Sequence, residues 1–422
     1  MTTQQKNYTL PIAMMFALFF MIAFVTGLPS PMGVIVAKQF GATNFESQLG
    51  FLGNFLAYAF MGIPAGIMLK KIGYKKTALS AIAVGFVGVA VQFLSGQVGL
   101  FSVYLVGTFI SGFSMCMLNT VVNPMLNTLG GGGNSGNKLL QFGGSINSIG
   151  ATITPMLVGF LMGAEAGRTI EKANPALFLA LGIFALAFVV LSFVKIPEPH
   201  METASERKVK HSHGPLSFRH FIFGAIAIFI YVGIEIGIPS TANLYMTASA
   251  SAANPGLGID ATTAGSIVGI YWLLMLIGRL IGASVGSKVS SKMMMIVVSS
   301  LGLLFILLAI FSPVSVAITL PVIGTVVPVS VLFLVLCGLC TSIMWGGIFN
   351  LAVEGLGKYT AAGAGIFMVM VCGGGIVPLL QGFVSDNFGY INSYWVMFAC
   401  LAYMMWYALV GCKNVNTDIP VE

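Results

Sequence analysis

Long apolar runs recur along the chain, separated by short stretches rich in glycine, proline, lysine and other polar residues. Most runs are close to the roughly 20 residues that a helix needs to cross a bilayer. Reading the runs together with their turn signals predicts twelve spans, at residues 10–36, 48–69, 77–95, 100–128, 138–162, 174–194, 219–246, 262–284, 292–312, 328–354, 360–384 and 391–411. The stretch SPVSVAITLPVIGTVVPVS (312–330) is apolar enough to count as a further one. Pro313, Pro321 and Pro328 would interrupt a helix there repeatedly, which predicts an outside loop or hairpin instead.

Composition agrees with this pattern. The 422 residues are 57% hydrophobic and 7% charged, against about 25% charged in soluble domains, which excludes an ordinary soluble protein. Charge then orients the spans, because lysine and arginine accumulate in cytoplasmic segments. With the N-terminus inside, the inward segments hold sixteen of the nineteen basic residues, and the outward ones keep Lys38, Arg168 and Lys172. The net charge of +7 is thereby accounted for by topology, and no nucleic-acid partner is expected. Lys6 precedes an apolar run, as in a signal peptide, but no small-x-small cleavage site follows, so the first span is expected to be retained.

Other features are chemically quiet. All six cysteines, Cys116, Cys337, Cys340, Cys372, Cys400 and Cys412, lie within or at the edge of apolar runs, where burial is their expected role. All four histidines fall in VKIPEPHMETASERKVKHSHGPLSFRH (194–220) without further ligands at metal-binding spacing. GGGGNSGNKLL (130–140) lacks the Lys-Ser/Thr ending and the preceding strand of a phosphate loop, and reads as a flexible turn. With no paired carboxylates or nucleophile triad, neither an enzyme nor a cofactor is expected.

The charged stretch at 194–220 divides the chain into two sets of six spans, and their glycines repeat. Gly53, Gly62 and Gly66 of the second span match Gly269, Gly278 and Gly282 of the eighth in spacing. GATITPMLVGF from Gly150 in the fifth and GGGIVPLLQGF from Gly373 in the eleventh both fit G-x-x-x-x-P-x-L-x-G-F, with Pro155 and Pro378 equivalent. Small residues at four-residue spacing let membrane helices approach closely. The expected architecture is an all-α membrane protein with twelve transmembrane helices in two six-helix pseudo-repeat bundles, residues 1–194 and 219–422, joined by a cytoplasmic linker at 195–218. Such a plan is a transporter plan, with the solute site near the midplane.

Several segments resemble the fucose permease family of sugar symporters within the major facilitator superfamily. They are GIPAGIMLKKIGYKK (62–76), NPMLNTLG (123–130), INSIGATITP (146–155), YVGIEIG (231–237), GRLIG (278–282) and GGGIVPLLQGFVSD (373–386). The likeness runs over nearly the whole chain and implies the facilitator fold and transport of a sugar. Lys70 stands where the general superfamily loop has an acid. Two further departures concern coupling: Ser30, in TGLPSPMG, takes the place of a family aspartate, and Asn119, in NTVVNP, that of a family glutamate, both implicated in proton or sugar handling. Neither replacement can titrate.

Polar residues inside the spans supply the candidate site. Asn119, Asn123 and Asn127 drift about 40° per step and form a stripe roughly 12 Å long. An unpartnered buried amide costs about 2–7 kcal/mol, so the stripe is expected to face protein or a wet cavity. For Asn119 solute contact is expected; Asn123, before Pro124, serves either solute or local backbone; Asn127 is gating or structural. Glu235 is the one acid of twelve well inside a span, where a carboxylate is functional by default. It is the candidate for coupling, with interhelical bonding as the other reading. Arg279, at the inner end of the eighth span, is expected to pair with carbonyls or an acid at a gate. Further substrate-binding candidates are Asn54, Tyr58, Gln141, Asn147, Asn243, Trp272, Trp345, Asn350 and Gln381, since sugar sites combine hydrogen-bonding groups with aromatic faces.

The expected function is import of a small neutral solute, a monosaccharide first, by alternating access, with H+ or Na+ coupling through Glu235. The alternatives are an uncoupled facilitator, an exporter or exchanger of another solute, and a receptor that transports nothing. The expected setting is the inner membrane, as a multi-pass monomer in contact with lipid, both termini cytoplasmic.

Overall fold

The computed structural model describes residues 8–39, 41–129, 133–161, 170–198, 213–285, 289–320, 323–356, 359–416 and 418–419. Among these, twelve helices are long and apolar enough to cross a membrane: Thr9–Gly33, Leu49–Leu69, Lys71–Val98, Phe101–Leu126, Phe142–Leu161, Glu171–Phe193, Arg219–Thr247, Ala261–Gly282, Ser291–Phe311, Val329–Val353, Gly365–Phe388 and Tyr394–Gly411. They are called spans 1 to 12 in that order and follow the predicted set closely. Large apolar side chains on their outer faces stay uncovered by protein, Phe160, Leu186 and Phe193 among them, as a lipid-facing surface requires.

The segment 312–330 forms a hairpin. Its strands, β1 (Ala317–Thr319) and β2 (Val326–Pro328), pair antiparallel with Ile318 opposite Val327. Pro328 ends β2 and leads into span 10, where a residue without an N–H interrupts nothing.

Three spans are less regular than their hydropathy suggests. Span 1 breaks at Leu28, before Pro29 and Pro31. Span 10 divides into Val329–Thr341 and Met344–Val353, and span 11 into Thr360–Met370 and Gly373–Phe388. Hydropathy is blind to such breaks because it registers side chains rather than backbone, and breaks at membrane depth persist where protein groups take up the freed carbonyls.

The first and second sets of six helices meet along two antiparallel seams, and the segment Pro29–Gln39 at the end of span 1 also packs on spans 7 and 8. In one, span 5 runs beside span 8: Gly159 lies against Ala261 and Thr262, and Gly269 against Met156. In the other, span 2 runs beside span 11: Leu52 lies against Gly375, Phe55 against Gly374, and Gly62 against Val369. Spans 4 and 10 pack within their own sets and take no substantial part in either seam.

The glycine repeats are seen here as contacts. Gly150 packs on Phe20 and Ala23 of span 1, and its counterpart Gly373 on the Phe229 carbonyl of span 7, so this pair occupies equivalent surroundings. The pairs of spans 2 and 8 do not: Gly53 faces Thr108 of span 4, whereas Gly269 faces across the seam to span 5. Equal spacing marks close approach without fixing which neighbour approaches.

Candidate functional site

Two polar networks lie inside the helical bundle. The first is built on span 4, which continues through Pro124 as one helix. Asn119 donates from Nδ2 to the Tyr58 hydroxyl of span 2 at 2.9 Å and to the Met115 carbonyl at 3.1 Å. Asn123 donates to the Asn119 carbonyl at 2.8 Å and meets Asn119 Oδ1 only at 3.5 Å. Both asparagines are half-buried and Tyr58 is fully buried. These two asparagines thus have donors engaged locally, while the Asn119 side-chain oxygen keeps capacity to accept from a ligand hydroxyl.

The second network centres on Arg279 and crosses between the two sets of helices. Its Nη2 lies 3.7 Å from Glu235 Oε1 of span 7, with the two side chains 17% and 16% exposed. Its Nη1 donates to the Gly144 carbonyl at 2.8 Å and to Ser148 Oγ at 2.6 Å, both on span 5. Nε donates to the Ser342 carbonyl at 3.4 Å, at the break in span 10. One guanidinium therefore joins spans 5, 7, 8 and 10. Its planar fork of five donors suits this better than an ammonium would. The Tyr231 hydroxyl, one helical turn before Glu235, lies beside both charges without hydrogen-bond geometry to either. Tyr271 donates to the Glu235 carbonyl at 3.3 Å and contacts Thr341 Oγ1 at 3.0 Å.

The remaining candidates divide by position. Asn147, next to Ser148, donates to the Phe19 carbonyl of span 1 at 3.0 Å and is half-buried. Trp345 is half-buried with its ring 6.2 Å from that of Tyr231, and Trp272 packs edge-on to Tyr271 at 5.3 Å. Asn54, Asn243 and Gln381 are buried; Asn54 Oδ1 and Gln381 Oε1 meet no hydrogen-bond partner among the described residues. Gln381 sits against Gly237 of span 7. Asn350 lies apart from both networks. It is exposed, near the end of span 10, and lines a recess of about 700 Å³ with Ser290, Lys292, Glu354 and Lys413. The side chains of Asn127, Gln141 and Ser30 lie outside the described residues.

Tyr231, Gly144, Ser148 and Ser342 were not singled out by the sequence. For two of them a signal existed: Tyr231 is four residues before Glu235, and Ser148 four after Gly144, so each shares a helix face with its partner. Ser342 acts through its carbonyl, which no residue type reveals. Within the described residues no group of histidine, cysteine and acidic side chains could hold a metal ion.

The sequence matches the Major Facilitator Superfamily over residues 14–377. The chain belongs to the Major Facilitator Superfamily. Among superfamily relatives it is similar to a glucose/galactose transporter of Brucella abortus, at 28% identity over 417 residues, covering 98% of this chain and 97% of that one. It is also similar to the L-fucose-proton symporter of Escherichia coli, at 25% identity over 412 residues, with 92% and 90% covered. Among solved structures, the transporter FucP in its outward conformation superposes with a TM-score of 0.68 at 22% identity, covering 96% of this chain and all of that one. A D-xylose-proton symporter gives 0.70 at 13% identity, with 97% of each covered. These superpositions establish the twelve-span facilitator fold. The protein is a membrane transporter by family and not an enzyme.

Proposed function

We propose that this transporter imports a monosaccharide by alternating access, with Asn119, Asn123, Asn147, Tyr58 and Trp345 contributing to the sugar site. The reading is carried by one observation: polar groups of spans 4, 5, 7, 8 and 10 stay partly exposed inside the bundle, Asn119, Asn123, Asn147, Glu235 and Arg279 among them. Most of these groups are neutral, and neutral donors and acceptors bind hydroxyls without a charge to desolvate. The names of the relatives, a glucose/galactose transporter and a fucose symporter, point to the same substrate class.

Glu235 is the coupling residue in this proposal and Arg279 the gating residue. A proton on Glu235 would weaken the ion pair and leave Arg279 held by Gly144, Ser148 and Ser342 alone. Uncoupled facilitation is the second reading, favoured by Glu235 being already paired and by Ser30 and Asn119 replacing the family acids. The two bundles are taken as residues 1–194 and 219–422, flanking a linker at 195–218. Both termini are placed in the cytoplasm on the strength of the basic-residue count, with the protein a monomer in the inner membrane.

Proteoliposomes loaded with D-glucose, D-galactose or L-fucose test the proposal by counterflow of the labelled sugar. Exchange of at least one is expected; exchange of none, with folded protein, defeats it. An imposed proton or sodium gradient that drives no accumulation of an exchanged sugar removes the coupled version and leaves facilitation.

A further inference from the structure

We propose that Asp386 is a gating residue, a latch that holds the transporter shut at the end of the bundle opposite the linker. The inference rests on the alternating-access reading and assigns a residue to it at the other end of the molecule from Arg279.

Asp386 stands near the end of span 11. Its Oδ1 accepts the Asn44 N–H at 2.7 Å and its Oδ2 the Phe45 N–H at 2.8 Å. Those amides open the short helix Asn44–Ser47, between spans 1 and 2. The helix meets its next needs itself: Glu46 N–H donates to Thr43 Oγ1 at 3.1 Å, and Thr43 N–H to Glu46 Oε2 at 2.9 Å. This capping box leaves Asn44 and Phe45 as the donors still requiring an acceptor. They find it more than 340 residues away, in the other half of the protein.

Two further contacts close the same place. The Tyr390 hydroxyl donates to Asn44 Oδ1 at 2.8 Å. Gly382, one turn before Asp386, lies so near the short helix that an added Cβ would sit 2.8 Å from the Asn44 carbonyl oxygen and 3.0 Å from Phe45 Cα. With Gly375 equally close to Leu52, the seam between spans 2 and 11 is sealed up to its end. Alternating access requires this seam to part.

The chemistry suits a reversible latch. Hydrogen bonds from backbone amides to a carboxylate are charge-assisted and short, yet Asp386 itself is exposed. Water can therefore replace the two amides as the halves separate, so release strands no buried charge. Asn44 and Gln48, beneath the latch, are buried in the closed state and become reachable when it opens.

The test is thiol labelling of Gln48→Cys by a membrane-impermeant maleimide, with purified protein in nanodiscs, where both faces meet the reagent and no sugar is needed. The parent without this cysteine serves as the blank for the six native thiols. Slow labelling is expected for Gln48→Cys alone. Adding Asp386→Ala should speed it about tenfold, the factor that corresponds to 1.4 kcal/mol, and Asp386→Asn, which keeps one acceptor, should fall between. Gly382→Val wedges the same seam while leaving the carboxylate, and should speed labelling as well. Unchanged rates in Asp386→Ala and Gly382→Val, with both proteins monodisperse, overturn the latch. If Asp386→Ala does not fold, the comparison of Asp386→Asn and Gly382→Val with the parent decides. A parent that exchanges no sugar but labels as expected would sink the substrate proposal and leave the latch standing.

Discussion

The two seams are tied at opposite ends by opposite chemistry. Near the linker end, Arg279 reaches from span 8 to span 5 and donates to a backbone carbonyl and a serine hydroxyl. At the far end, Asp386 reaches from span 11 to the short helix before span 2 and accepts from two backbone amides. The guanidinium is five-sixths buried and also paired with Glu235, whereas the carboxylate is exposed. Burial makes the first tie costly to break, because separation takes the Gly144 and Ser148 acceptors from a largely buried guanidinium, which keeps only Glu235 and the Ser342 carbonyl on its own side. Exposure makes the second cheap, because water takes over each bond. Under the alternating-access proposal this inequality makes the far end the one expected to part more readily.

Arg279→Ala should have the largest effect, since it removes four contacts and strands Glu235. Breaking a buried ion pair from one side costs about 3–5 kcal/mol, to be read as a fall in thermal midpoint alongside loss of counterflow. Arg279→Lys should recover only part, because an ammonium cannot span the same acceptors. A near-normal Arg279→Ala would erase the distinction between the two ends.

Glu235→Gln comes next. It keeps a neutral acceptor beside Arg279 and should preserve counterflow while abolishing gradient-driven accumulation. Equal accumulation by mutant and parent would mean that the pair is a structural tie and that Glu235 does not carry the coupling; no accumulation by either would mean that transport is uncoupled.

Within the neutral network, Tyr58→Phe and Asn119→Ala should each weaken sugar binding about tenfold, or 1.4 kcal/mol. Their effect on stability should be small, near the ~0.6 kcal/mol average for interhelical hydrogen bonds in membranes. A double-mutant cycle in sugar affinity shows whether the two act as one unit. The smallest effect is expected for Asn350→Ala, within about 0.5 kcal/mol of the parent in stability and with unchanged transport, because this exposed residue lies away from both networks.

Members of both polar networks, as well as the fold, were legible in the sequence. Glu235 stood out because a carboxylate far from either end of an apolar run has few reasons to be there, and Asn119 because its neighbours at four-residue steps are also amides. Arg279 was readable as a residue that pairs with carbonyls or an acid, and the structure gives it both kinds of partner. Asp386 went unnoticed among the acids near span ends. Its partners are main-chain amides, and every residue but proline has one. Asn350 was an equally reasonable candidate by depth, yet the second segment of span 10 carries it to the surface.

What the sequence determined by itself was the count and placement of the spans, the loop or hairpin at 312–330, and the two-fold plan. These follow from hydrophobic length, proline spacing and glycine repeats, which act locally and leave their mark in residue order. The tertiary structure decided the rest: which helices form the seams, where spans 10 and 11 break, and which charge meets which backbone group. Those depend on atoms that lie from tens to hundreds of positions apart along the chain, and their partners are mostly peptide groups common to all residues, so no pattern of side chains could announce them.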